Sequence, residues 1–169
     1  MNIFVLDTEP RVAARYHHDI HVKVMVKEAA QMLSVAHRML NDHPRDVYEI
    51  THVNHPCSKW VRESEANYLW LYDLFRYLAE EYKLRFHKQH KSYMLLNRYL
   101  QHSPSNIEDR GLTGFVQAMP LPYRGVNAIQ AYRGFYVAEK LSFGHWSPPS
   151  SKPWWVHELL KQQELQHDS

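Results

Sequence analysis

The chain has 169 residues, a formal net charge of +2 and a single cysteine; 44% of it is hydrophobic and 13% aromatic. That size fits one domain around one core, the apolar content excludes a disordered chain, and no apolar run approaches the roughly 18 residues a membrane-spanning helix needs. A lone Cys57 rules out an internal disulfide and any cysteine-built zinc cage.

At the start, NIFVL (2–6) supplies at most one short strand. DTEP behind it reads as a helix start, with Asp7 or Thr8 as acceptor for free amide hydrogens and Pro10 tolerated in the first turn. Helical spacing then runs from Arg11 to Leu40, where Val22, Met25, Ala29, Leu33, Ala36 and Leu40 draw one apolar stripe, and Pro44 ends the segment. A second start at Asn54, His55 and Pro56, with Asn54 as cap, opens a helix reaching about Phe86, its stripe made by Trp60, Leu71, Leu74, Leu78 and Tyr82. Lys91 to Gln101 reads as a third helix, stopped by Ser103, Pro104, Ser105 and Asn106. The irregular IEDRGLTGFVQAMPLPYRG follows, and segments of that length in small domains are often functional. Helix returns from Val126 to Leu141, breaks at SFGHWSPPSSKP, and resumes after Pro153 as a short terminal helix. The expected fold is all-α: one domain over 1–169, four to five helices, and at most one short N-terminal strand.

Two patches concentrate chemistry. In YHHDIHVKVMVKEAAQML (16–33), at about 100° per residue, His17, His21 and Glu28 fall on one side of a continuous helix, with Asp19 turned away to cap it or to pair with Lys23. Three readings of that side stand: a solvated or partner-facing surface, a binding or catalytic face, or a metal site begun by the i, i+4 imidazoles and completed by another element. The second patch is THVNHPCSKWVRESEANYLWL (51–71), where Asn54 and His55 precede a helix N-terminus suited to an anion. Arg62 there offers a forked donor for phosphate or a base edge and Asn67 an amide for base reading; the plainer alternative pairs Arg62 with Glu63 or Glu65 and leaves Asn67 on the surface.

The last third interleaves rings with cations, among them Arg133, Lys140 and Trp146, a pairing that suits stacked bases and phosphates. Tyr132, Phe135 and Tyr136 read as core, Trp146 and Trp154 as exposed. A set of 13 histidines opens a route to pH-dependent binding, since the free side chain titrates near about pH 6.5.

The stretches VLDTEPRVAARYH, VKEAAQML, THVNHPCSKWVRES with NYLWL, EEYKLRF, AMPLPY and AYRGFYVAEKLSF resemble a family of proteins from tailed phages and large viruses, over nearly the whole chain. That family is in turn weakly similar to the pyrimidine-dimer DNA glycosylases of the phage endonuclease V type. The resemblance implies an all-α fold, a flipped-out nucleotide and N-glycosyl cleavage through an imine to the enzyme, in the cytoplasm of an infected host cell. The glycosylases use the amine of the second residue, freed by loss of the initiator, and a glutamate beside an arginine. Here Asn2 is expected to retain Met1, so the candidate amines are Met1, Lys23 and Lys27, and Glu28 is the only glutamate of HDIHVKVMVKE.

The expectation is therefore a DNA-acting enzyme of base-excision type, with Glu28 in acid–base work, His17 and His21 assisting, and Asn54, His55, Arg62, Asn67, Arg133, Lys140 and Trp146 as binding residues. Alternatives are a nucleotide hydrolase, for which a divalent metal would serve, and a non-catalytic module binding DNA or a nucleotide. The first and third readings call for no cofactor, and none calls for a membrane.

Overall fold

A computed structural model describes residues 1–42 and 46–169. Among the described residues it is all-helical and holds seven α-helices: α1 Pro10–Tyr16, α2 Asp19–Met39, α3 Pro56–Glu63, α4 Glu65–Phe86, α5 Lys91–Leu100, α6 Ala128–Glu139 and α7 Trp154–His167. Single 3-10 turns add Leu121–Tyr123 and Leu141–Phe143. The count exceeds the expected four to five because both long predicted helices are broken in two. Pro44, expected as a helix stop, lies outside the described residues; α2 ends at Met39.

The first break falls at His17 and His18, both extended. His18 gives its backbone N–H to the Tyr136 hydroxyl at 3.1 Å, Asp19 gives its own to His145 O at 2.8 Å, and His18 Nδ1 caps the new helix by accepting from His21 N–H at 3.3 Å. The second break is Ser64, whose Oγ donates to Gly111 O at 2.8 Å and accepts from Arg110 N–H at 2.9 Å.

Imidazoles cap three helices. His18 is joined by His55, whose Nδ1 accepts from Cys57 N–H at 3.1 Å, and by His90, whose Nδ1 accepts from Ser92 N–H at 3.1 Å. His55, not Asn54, is thus the cap of α3. At α1 the cap position is Glu9, and Asp7 Oδ2 accepts the Glu9 N–H just ahead of the helix at 3.0 Å. Helix α4 stops where His87 turns left-handed, φ 59°, a common way to end a helix.

Helix α4 is the hub, packed against α1, α2, α3 and α5, while α2 also meets α3 and α5 and α6 packs on α7. The predicted α2 stripe is buried from Val22 to Ala36, with Leu40 half-buried at its end. Residues 2–6 form no strand. Instead Ile3 to Leu6 run into the core without regular structure, with one tight turn in which Leu6 N–H donates to Phe4 O at 3.0 Å. Their polar neighbours are tied down from the far end of the chain: Asn2 Nδ2 donates to Ala118 O at 3.0 Å, and Arg133 Nε donates to Leu6 O at 2.9 Å. Tyr132, Phe135 and Tyr136 are buried as expected, but so is Trp146, 7% exposed, with Nε1 donating to Tyr16 O at 3.0 Å. Trp154 does stand in solvent, 62% exposed.

Candidate active site at the chain start

Burying residues 3–6 leaves the first residue lining a cleft of about 260 Å³, together with Asn2, Phe4, His21, Val24, Met25, Glu28, Phe135 and Lys140. The α-amino group of Met1 pairs with Glu28 Oε1 at 3.7 Å. Asn2 fixes that position, because its Oδ1 accepts from Ile3 N–H at 2.7 Å and from the Cys57 thiol at 3.6 Å while its amide holds Ala118. One wall is apolar and aromatic, and the charged groups lining the cleft are an amine, one carboxylate and the Lys140 ammonium. Lys140 Nζ lies 5.4 Å from the Phe135 ring centroid.

Behind the cleft stand the histidines. Phe4 stacks on His21, centroids 4.4 Å apart, and His21 stacks on His18 at 4.1 Å. The Tyr136 hydroxyl accepts from His18 N–H and is 2.9 Å from His21 Nδ1; with no other acceptor for its proton among the described residues, that proton is assigned to Nδ1 and the ring's own to Nε2. By the same logic His17 donates from Nδ1 to Ala13 O at 2.6 Å. Burial pushes all three imidazoles far below their ordinary value, His17 to about 3, His18 to about 4 and His21 to about 2. They are neutral at neutral pH. His17 Nε2 and His18 Nε2 are buried with no hydrogen-bond partner among the described residues.

The predicted polar side of one helix is therefore taken apart. His17 belongs to the break before α2, His17 and His21 are buried and not a solvated surface, and only His21 and Glu28 of the three line the cleft. Among the described residues no group of three or more His, Cys, Asp or Glu is placed to hold a metal ion. Asp19 does not pair with Lys23. Its Oδ1 meets Arg85 Nη1 at 3.2 Å and its Oδ2 accepts from Ser147 Oγ at 2.5 Å, and the contacts with Ser147 and Arg85 hold its carboxyl below the usual range against the opposing effect of burial. Arg85 also takes Glu81 Oε2 at 3.0 Å and the carbonyls of His17 and Arg15 at 2.7 and 3.0 Å.

The second predicted patch is structural in its geometry. Arg62 donates to Val53 O at 2.8 Å and to Ser58 Oγ at 3.2 Å, pairing with neither Glu63 nor Glu65. Asn67 is not on the surface but 0% exposed, its Nδ2 on Trp60 O at 2.9 Å and Thr113 Oγ1 at 2.7 Å, its Oδ1 on Thr113 N–H at 3.0 Å. Arg133 is spent on Leu6 O and on Asp7 Oδ1 at 3.1 Å. Asn54 and His55 lie at the start of α3 and do not line the cleft, and Trp146 packs edge-on to His18 with centroids 5.9 Å apart.

Sequence reasoning missed Asn2, Phe4 and Tyr136 as the residues that seat the amine and the histidine stack. The signal that was available is the apolar NIFVL, too hydrophobic to be left in solvent and too short to pack as a helix. Cys57 is no competing nucleophile, since burial raises its thiol to about 11. No protein-family model matches the chain, and no curated protein or solved structure matches it.

Proposed function

We propose that this chain is a DNA-acting enzyme of base-excision type whose nucleophile is the α-amino group of Met1 and whose acid–base residue is Glu28. The observation that carries the reading is their ion pair, 3.7 Å long, at an open cleft with Lys140 on its rim. An amine is a nucleophile only when neutral, and a carboxylate within reach of it can take its proton. The other two candidate amines fit less well: Lys23 and Lys27 are exposed, and Lys23 Nζ sits 4.5 Å over the Phe86 ring.

The chemistry balances with the groups present. The neutral amine, its first proton now on Glu28, attacks C1′ of a deoxynucleotide, the C1′–N bond to the base breaks and its electron pair leaves with the base, and the base takes the proton that the newly alkylated nitrogen sheds. The new secondary amine expels O4′ of the sugar, Glu28 returning a proton to that oxygen, and C1′=N remains as an imine to Met1. Taking a proton from C2′ would then break the C3′–O bond and release the 3′ phosphate. His21, neutral and presenting Nε2–H, is a hydrogen-bond donor that adds no charge to the site, while Lys140 supplies the cation for a flanking phosphate.

Labelled duplexes, undamaged, ultraviolet-irradiated or carrying an abasic site, incubated with the protein and borohydride test this. The expected result is a covalent adduct that survives chelator and maps by mass spectrometry to Met1. Duplex binding with neither adduct nor strand cleavage would remove the excision reading in favour of a binding module, and chelator-sensitive turnover of free nucleotides would favour the hydrolase.

A further inference from the structure

The turn just before α6 holds two aliphatic side chains in water, Leu121 at 74% exposure and Val126 at 107%. Single exposed aliphatics need no explanation. This pair differs in being fastened in place. Gln117 grips Gly125 twice, Nε2 donating to its carbonyl at 2.7 Å and Oε1 accepting its N–H at 2.9 Å. Arg124 Nε donates to Met119 O at 2.7 Å, and the N–H groups of Tyr123 and Arg124 close one turn on Pro120 O and Leu121 O, each at 3.0 Å. The Tyr123 hydroxyl bonds the Glu139 carboxylate, and its ring packs on Phe135 with centroids 5.2 Å apart. Ordering a loop costs backbone entropy, and here no burial of Leu121 or Val126 offsets it.

The tip also has a definite address. Phe135, under Tyr123, lines the cleft, and Ala118, whose carbonyl holds Asn2, precedes Leu121 by three residues, so the two Cα atoms lie within about 11 Å. Apart from its Nε, the exposed Arg124 guanidinium makes no hydrogen bond among the described residues. Glu139, the acidic neighbour, is engaged by Tyr123. A turn fixed by its own hydrogen bonds, carrying two exposed aliphatics and an exposed cation near a cleft of about 260 Å³, has the chemistry suited to the inside of a base stack between two phosphates; apolar wedges of Leu, Ile or Met are what proteins insert there.

We propose that Leu121 and Val126 form a wedge that enters duplex DNA and fills the gap left by the nucleotide drawn to Met1, with Arg124 on the adjoining phosphate. The proposal rests on the base-excision reading. It is tested with the full chain and the double variant L121A/V126A, on an abasic site in single-stranded and in duplex DNA, with 2-aminopurine beside the site reporting unstacking. Both side chains being exposed, the variant is expected to keep the wild-type circular dichroism and Tm. It should trap imine on the single strand at the wild-type rate, lose at least about tenfold on the duplex, and lose the 2-aminopurine fluorescence rise. Equal rates and fluorescence on the duplex would overturn the wedge alone. An equal loss on both substrates would overturn it too, placing the loop in the site's architecture or in contact with another protein. No imine with wild type on either substrate would overturn the excision reading and the wedge with it.

Discussion

The hydroxyl of Tyr136 lies 2.9 Å from Nδ1 of His21, and the same oxygen accepts the backbone N–H of His18 at 3.1 Å. One buried oxygen therefore both breaks the first predicted helix and sets the tautomer of the imidazole behind the cleft. Tyr136→Phe keeps the ring and deletes that oxygen, stranding a buried donor and a buried acceptor. A loss of about 1–3 kcal/mol in urea unfolding is expected. If stability is unchanged, the oxygen is not what holds the break.

Glu28→Gln preserves shape and removes the proton acceptor beside Met1. Borohydride trapping on an abasic duplex should slow by about 10²–10⁴-fold, with Tm nearly unmoved because Glu28 is partly exposed at the cleft. Wild-type trapping by this variant would exclude Glu28 as the acid–base residue.

Acid should destabilise the fold well above the carboxylate range. The folded-state values of His17, His18 and His21 are depressed to about 3, 4 and 2, so below about pH 6.5 the unfolded chain binds protons that the folded one refuses. Their contribution is complete above pH 6.5 and is lost as pH falls from there toward 4, at up to about 1.4 kcal/mol per pH unit for each imidazole. His55 and His90, also lowered mainly by burial, add to the slope, since a protonated Nδ1 cannot cap a helix. Urea midpoints at pH 7, 6, 5 and 4.5 measure this, and a flat profile would mean the cluster is hydrated in solution.

Arg85→Ala leaves Asp19 and Glu81 facing each other without their shared cation and strips the carbonyls of Arg15 and His17 of a donor. Removing one partner of a buried ionic cluster costs about 3–5 kcal/mol. A fall in Tm that large, checked by calorimetry, is expected, and a loss under about 1 kcal/mol would show that water replaces the guanidinium.

Arg62 and Lys140 separate structure from binding. Arg62→Ala should lower stability by about 1–2 kcal/mol through its lost bonds to Val53 and Ser58, leaving duplex affinity alone. Lys140→Ala should weaken affinity and reduce the salt dependence of binding by about one charge. Salt titrations of both variants decide between them, and the reverse pattern would move the phosphate contact to α3.

What could be read from the chain were features written in local order: the α2 stripe from Val22 to Ala36, α5, the irregular 107–125 segment, and Tyr132, Phe135 and Tyr136 as core. The two breaks were illegible because helical spacing continues through them. They are imposed from a distance, at His18 by Tyr136 and at Ser64 by Gly111. The alternative that paired Arg62 with Glu63 or Glu65 and left Asn67 on the surface failed for a related reason, since a polar side chain suited to solvent is equally suited to holding a loop. Glu28 stands out in the sequence as the only glutamate of HDIHVKVMVKE and does line the cleft, but its pairing with Met1 was not legible, because that depends on how Asn2 is anchored 116 residues away.

That anchoring also sets when the site comes into being. Asn2 and Leu6 take their fixing bonds from Ala118 and Arg133, 116 and 127 residues further along the chain. Contacts of such wide sequence separation form late and slowly. A nascent or truncated chain ending before them would carry the amine without the scaffold that aims it. The cleft is thus expected to form only once α6 is in place, so that chains ending before it do not hold Met1 against Glu28.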